Sequence, residues 1–169
     1  TIVASGATIA PGNSIGTLTV DGDITFAAGS IYEVEVDPTG TGSDLIAASG
    51  TAFLQGGSVV HIGADGTYDP TATYTILTAV GGVQGSFDAV SSDFAFLDAT
   101  LGYDANAVTL TLQRNDISFA EIGKTRNQIA TAMGLESLAF GMPIYDAVVQ
   151  LDEDMARFAF DRLSGEIHG

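Results

Sequence analysis

The sequence predicts an all-β chain wound as a parallel β-solenoid, with a short α-helical segment at its C-terminal end. Three observations predict it. Short runs that alternate apolar and polar residues recur between Gly, Asp, Asn and Ser turns from Gly16 to Gln113. One stretch repeats itself, so that 22–34 (GDITFAAGSIYEV) aligns with 50–62 (GTAFLQGGSVVHI). Finally, all five basic residues (Arg114, Lys124, Arg126, Arg157, Arg162) lie in the last third, whereas residues 1–113 hold 12 acidic side chains and no Lys or Arg. Two differently built segments meet near Arg114.

The strands follow in order. In Thr17–Val20, Leu18 and Val20 share a face; a strand is expected at 24–27; in 32–36, the apolar side chains take one face and Glu33 and Glu35 the other. Further strands are expected at 45–48, 52–54, 58–62, 73–79 and 94–98, and in 108–112 three apolar residues face in and two threonines out. Within the repeat, Gly22 matches Gly50, Phe26 matches Leu54, Gly29-Ser30 matches Gly57-Ser58 and Val34 matches Ile62; Gly85-Ser86 lies one more such interval along the chain. Strands and turns at this period suit stacked coils, since one coil cannot bury its apolar face alone. Corner residues of adjacent coils then sit about 4.8 Å apart, where Gly, Ser, Thr and Asn stack at little cost. A two-sheet sandwich shows similar short strands and regular turns.

After Gln113 the period changes. Ser118-Phe119-Ala120-Glu121 reads as a capping box opening a helix over 119–133, with Ile122, Ile129 and Met133 on one side and Gly123 as a weak point. Pro143 suits the first turn of a second helix, in which Ile144, Val148, Leu151, Met155 and Phe158 follow helical spacing and Gly165 is the stop. The expected division is therefore β-helix coils over 1–113 and a helical cap or linker over 114–169.

Composition narrows function. The chain has 169 residues, 46% of them hydrophobic and 15% charged, with 21 glycines; it can bury a core and is not an acidic disordered tail. A net charge of −16 makes nucleic acid and anionic membrane surfaces poor partners. There is no cysteine, so no disulfide contributes. No apolar run is long enough to read as a membrane-spanning helix, and no stretch reads as a signal peptide. Thr1 begins in mid-pattern, which reads as a fragment of something longer.

No residue is expected to be catalytic, to hold a cofactor or to ligate a metal. His61, between Val60 and Ile62, is read as alternating with the core face and so pointing outward; His168 has no partner that the sequence names. Glu33 and Glu35 form a carboxylate pair of the kind glycoside hydrolysis uses, but alternating outward glutamates on a strand explain them. Asp21 and Asp23 flank Gly22 as turn residues. Gly40–Asp44 is one isolated turn, without the ligand spacing of calcium loops. Gly81–Gly85 lacks the Lys of a phosphate loop and reads as a turn between coils.

The opening Ala10-Pro11-Gly12-Asn13-Ser14-Ile15-Gly16-Thr17-Leu18 resembles the PGNSxGTL motif of autotransporter passengers. Glu33–Asp37, Gly42–Leu45, Tyr74–Ala79, Leu101–Asp104 and the closing Leu163-Ser164-Gly165-Glu166-Ile167-His168 continue the resemblance over nearly the whole chain. It implies the C-terminal region of a pertactin-like passenger: a right-handed parallel β-helix on the cell surface or secreted, tethered to the bacterial outer membrane. Its implied partners are upstream passenger coils and the protein's own C-terminal outer-membrane β-barrel, with a host or cell-surface ligand reached through the full passenger. The expected role is non-catalytic, a stable folding nucleus of autochaperone type for passenger secretion. The alternatives are an adhesin surface and a fragment of a β-helical polysaccharide-degrading enzyme; no cofactor is expected.

Overall fold

The computed structural model describes residues 1–37, 40–63 and 72–165. Eleven strands come first: β1 (Ile2–Val3), β2 (Thr8–Ile9), β3 (Thr17–Val20), β4 (Ile24–Phe26), β5 (Ile31–Glu35), β6 (Leu45–Ala48), β7 (Ala52–Gln55), β8 (Ser58–Ile62), β9 (Thr73–Ala79), β10 (Val83–Ser86) and β11 (Ala89–Ser92). They enter three sheets in strict rotation. One sheet runs β1-β4-β7-β10, the second β2-β5-β8-β11, and the third begins β3-β6-β9. Every pairing among these strands is parallel. Three short strands per turn of chain, each stacked on its counterpart in the next turn, is consistent with the expected β-helix.

The alternation in the sequence sets the core. Inward side chains line up in columns across successive coils: Ile9, Tyr32, Val59 and Val90 in the second sheet, and Leu18, Ile46, Leu77 and Val108 in the third. Ile24, Phe26, Tyr32, Val34, Ile46, Val59 and Leu77 are fully buried. Phe87 completes an aromatic cluster, edge-on to Phe26 at 5.0 Å and 6.5 Å from Tyr32. The column Val3–Phe26–Leu54 ends at Gly85, at φ +85°, where a Cβ would meet the Leu54 carbonyl oxygen at 2.0 Å. Only glycine fits there.

The structural register refines the sequence repeat. Ile24 pairs with Ala52 and Phe26 with Leu54, as the alignment has it, but Ile31 pairs with Ser58 and Val34 with His61. Phe26 to Ile31 is five steps along the chain but the paired Leu54 to Ser58 is four, so the repeat slips by one within the coil. The next step is longer still, with Ile46 opposite Leu77 and Ser58 opposite Ala89. Gly85 pairs with Leu54, not with Gly57, so the third Gly-Ser match is coincidental. Val83–Ser86, expected to be mostly turn, is strand β10, and β11 is not anticipated by the sequence; both expose most of their side chains and show no alternation strong enough to read.

The third sheet ends differently. β12 (Leu97–Tyr103) and β13 (Ala107–Arg114) form an antiparallel hairpin that adds to β9 as β12-β13-β9. Asn106 anchors its turn by donating to the Ala79 and Val80 carbonyls. The strand expected at 94–98 begins only at Leu97.

Three α-helices follow: α1 (Arg126–Glu136), α2 (Pro143–Val149) and α3 (Glu153–Leu163). The capping box at Ser118 and Glu121 is present, but it opens a single 3-10 turn, Phe119–Ile122. At Gly123 the backbone turns extended, and Thr125 with Gln128 forms a second capping box that starts α1. The helical stripe expected from Pro143 to Phe158 is likewise two helices. Leu151 lends its carbonyl to the Ala95 N–H, and Asp152 caps α3 by accepting from Met155 N–H. Their buried faces also differ from expectation. Gln128, Ala132, Leu135, Ala156 and Phe160 are buried, whereas Met133 is 62% exposed and Phe158 52%. Phe119 is the centre of this packing, touching Phe96, Tyr145 and Phe160. No helix among the described residues is long and apolar enough to cross a membrane.

Candidate functional site

The buried polar groups mark the places where chemistry could reside. Ser30, Asp44, His61, Gln128 and Asp146 are buried. His61 corrects the outward reading. It has no exposed surface and stands in the inward column between Val34 and Ser92, while Val60 and Ile62 take the outer face. The cause is the one-residue slip at the corner before β8, because a shift of one residue exchanges the two faces of a strand. The His61 Nδ1 lies 3.0 Å from Ser92 Oγ, and Phe94 packs edge-on at 5.2 Å. Burial pushes the imidazole down to about 4, so it is neutral at pH 7.

A serine bonded to a neutral histidine is the first half of a nucleophile–base pair. Ser92 lines a groove of about 450 Å³ with Val90, Phe94, Leu97, Asp98 and Thr100. The histidine ring has 0% of its surface exposed, however, so a substrate cannot touch it in this conformation. Ser92 Oγ also accepts from the Phe94 N–H at 3.2 Å, which ties it to the turn after β11.

Glu33 and Glu35 lie on the outer face of β5, opposite Val60 and Ile62 of β8. The Gly40–Asp44 turn yields a buried carboxylate: Asp44 Oδ1 accepts from Gly16 N–H at 2.8 Å and Oδ2 from Glu35 N–H at 3.0 Å. Other corners repeat the device. Asp23 accepts from Thr51 N–H at 2.7 Å, Asp88 from Gly57 N–H at 3.0 Å and Asp93 from Gly63 N–H at 2.9 Å. Each carboxylate satisfies a backbone donor of a neighbouring coil with a charge-assisted bond. The sequence carries a signal for this, since Asp44 follows Gly16, and Thr51 follows Asp23, by the interval that separates Gly22 from Gly50. Among the described residues no cluster of three or more His, Cys, Asp or Glu side chains could hold a metal ion. His168 lies outside the described residues, as do Glu166 and Ile167 of the closing motif.

No protein-family model matches the chain. Two proteins of Serratia marcescens, both named extracellular serine protease, are similar to it. One is 38% identical over 151 residues, covering 83% of this chain and 14% of the relative; the other is 34% identical over 143 residues, covering 79% and 13%. The chain is similar to part of a secreted serine protease. It spans about a seventh of the relatives' length. The similarity supports the autotransporter resemblance in its general form and an extracellular location, without reaching the pertactin-like subtype. It overturns one expectation, that the chain stands outside enzymes altogether: both relatives carry the name of a protease.

Proposed function

We propose that this chain is a stretch of the passenger of a longer, secreted serine protease of the autotransporter kind, and that it serves that protein as a stable folding nucleus during export. In this reading residues 1–113 are coils of a right-handed, pertactin-like β-helix, and 114–169 form a helical cap leading towards an outer-membrane β-barrel. Upstream coils stack on β1, β2 and β3, which stand at one end of the three sheets. The protease activity belongs to the longer polypeptide.

The observation that supports this reading best is the strict rotation of strands among three sheets around a continuous column of buried side chains. Such a stack gains stability coil by coil and needs no disulfide. Corner carboxylates hold neighbouring coils together through their backbone N–H groups. Equilibrium unfolding of the purified chain, followed by far-UV circular dichroism, tests the proposal. A reversible, cooperative transition of a β-rich state is expected. A chain that stays unfolded on its own would remove the folding-nucleus role.

A further inference from the structure

One side chain ties the strand region to the helical region. Arg114, the last residue of β13, places its guanidinium 5.4 Å from the Phe96 ring centroid and 5.3 Å from that of Phe119. One ring belongs to the strand region and the other to the helical region, so the cation bridges them. The same guanidinium forms an ion pair with Glu136 at the end of α1, 3.1 Å, and donates to the Tyr145 hydroxyl of α2, 3.4 Å. Glu136 in turn accepts from Phe119 N–H at 2.6 Å. The Ala95 N–H to Leu151 carbonyl bond is a further polar tie across the junction.

The helical region has its own internal fastenings. Gln128 accepts from the Lys124 and Thr125 N–H groups and donates to the Asp161 carboxylate on α3 at 3.0 Å. Phe119 stacks with Tyr145 and Phe160. At the junction with the strands, a groove of about 110 Å³ runs between Gly63, Asp93 and Phe94 on one side and Gln150, Leu151 and Met155 on the other.

We propose that residues 119–163 form a lid that opens as one unit from the end of the strand stack, with Arg114 as its latch. The lid stays folded internally while the latch releases, and its opening bares Phe96 at the stack end. This is independent of the folding-nucleus reading: the lid can open in pieces while the chain still unfolds cooperatively, and the reverse also holds.

Native-state amide hydrogen exchange on the full chain, with increasing denaturant, tests it. The amides of α1 and α3 are expected to share one opening reaction, faster than that of Val34, Ile46 and Val59. Arg114→Met is expected to raise exchange in α1 and α3 together by about tenfold, the scale of a partly buried cation–aromatic contact plus an ion pair, and to leave those strand amides unchanged. Arg114→Lys keeps the charge but not the planar stack, and an intermediate increase is expected. Exchange of helices and strands through a single global reaction would overturn the proposal, as would an Arg114→Met effect spread equally over both regions. Were Arg114→Met to fail to fold, the wild-type exchange pattern and Arg114→Lys would still decide between these outcomes.

Discussion

The strand region and the helical region bury their side chains by different rules. In the strands, inward positions form columns, in which a side chain stands directly above or below its counterpart in the next coil, as Leu18, Ile46 and Leu77 do. In the helices, one aromatic residue, Phe119, organises three elements, and large apolar side chains such as Met133, Phe140, Met155 and Phe158 remain half exposed or more. A column spreads burial over many equal contacts, whereas a hub concentrates it. The strands also use their surplus acid at corners, while the cations gather in the helical region and at its border.

The contrast breaks hardest at the coil core. Phe26→Ala removes a fully buried ring that touches Tyr32 and Phe87. A loss of about 3–5 kcal/mol is expected, measured by urea unfolding; a loss under about 1 kcal/mol would mean that the columns do not carry the stability.

Next in size is the pH response of His61. Its folded pKa of about 4 lies below the unfolded value of 6.5, so the unfolded chain binds the extra proton between them. The stability that neutral His61 preserves is complete above pH 6.5 and is lost as pH falls towards 4, by about 3 kcal/mol at most. Carboxylates also titrate near the lower end of this window. The measurement is therefore the difference in unfolding free energy between wild type and His61→Val from pH 7 to pH 4.5. The gap is expected to shift in favour of the variant as pH falls, and a constant gap would count against the buried, neutral ring.

The smallest effect should come from the helical side. Asp152→Ala removes the cap of α3, for an expected cost of about 1 kcal/mol. By hydrogen exchange the change should be confined to α3 and its neighbours, which separates the hub from the columns.

The strand region is legible in the sequence because a period of two is local. Tyr32, Val34 and Val36 all turn inward as the alternation predicts, as do Val108, Leu110 and Leu112. His61 defeats the same reasoning because its face depends on the length of the corner at Gly56-Gly57, which alternation within β8 alone does not reveal. Strand β10 is hidden by Gly85, whose presence is dictated by the Leu54 carbonyl of another coil. In the helices, capping signals are legible at Ser118 and Pro143. Their extent is not, because Thr125 and Asp152 restart the chain at points that tertiary bonds choose. The corner carboxylates are visible as acidic residues, but their partners lie about a coil away along the chain.

The unequal corners have a consequence for how such a chain can change. The step between paired residues is 23 from Thr8 to Ile31, 27 from Tyr32 to Val59 and 31 from Val59 to Val90, yet the inward column through Ile9, Tyr32, Val59 and Val90 is unbroken. Insertions and deletions are absorbed where the backbone bends, so lineages can drift in length there without disturbing the interior. A designer seeking to graft a foreign loop onto this scaffold should cut at those bends, where one residue more or less leaves both neighbouring strands in phase.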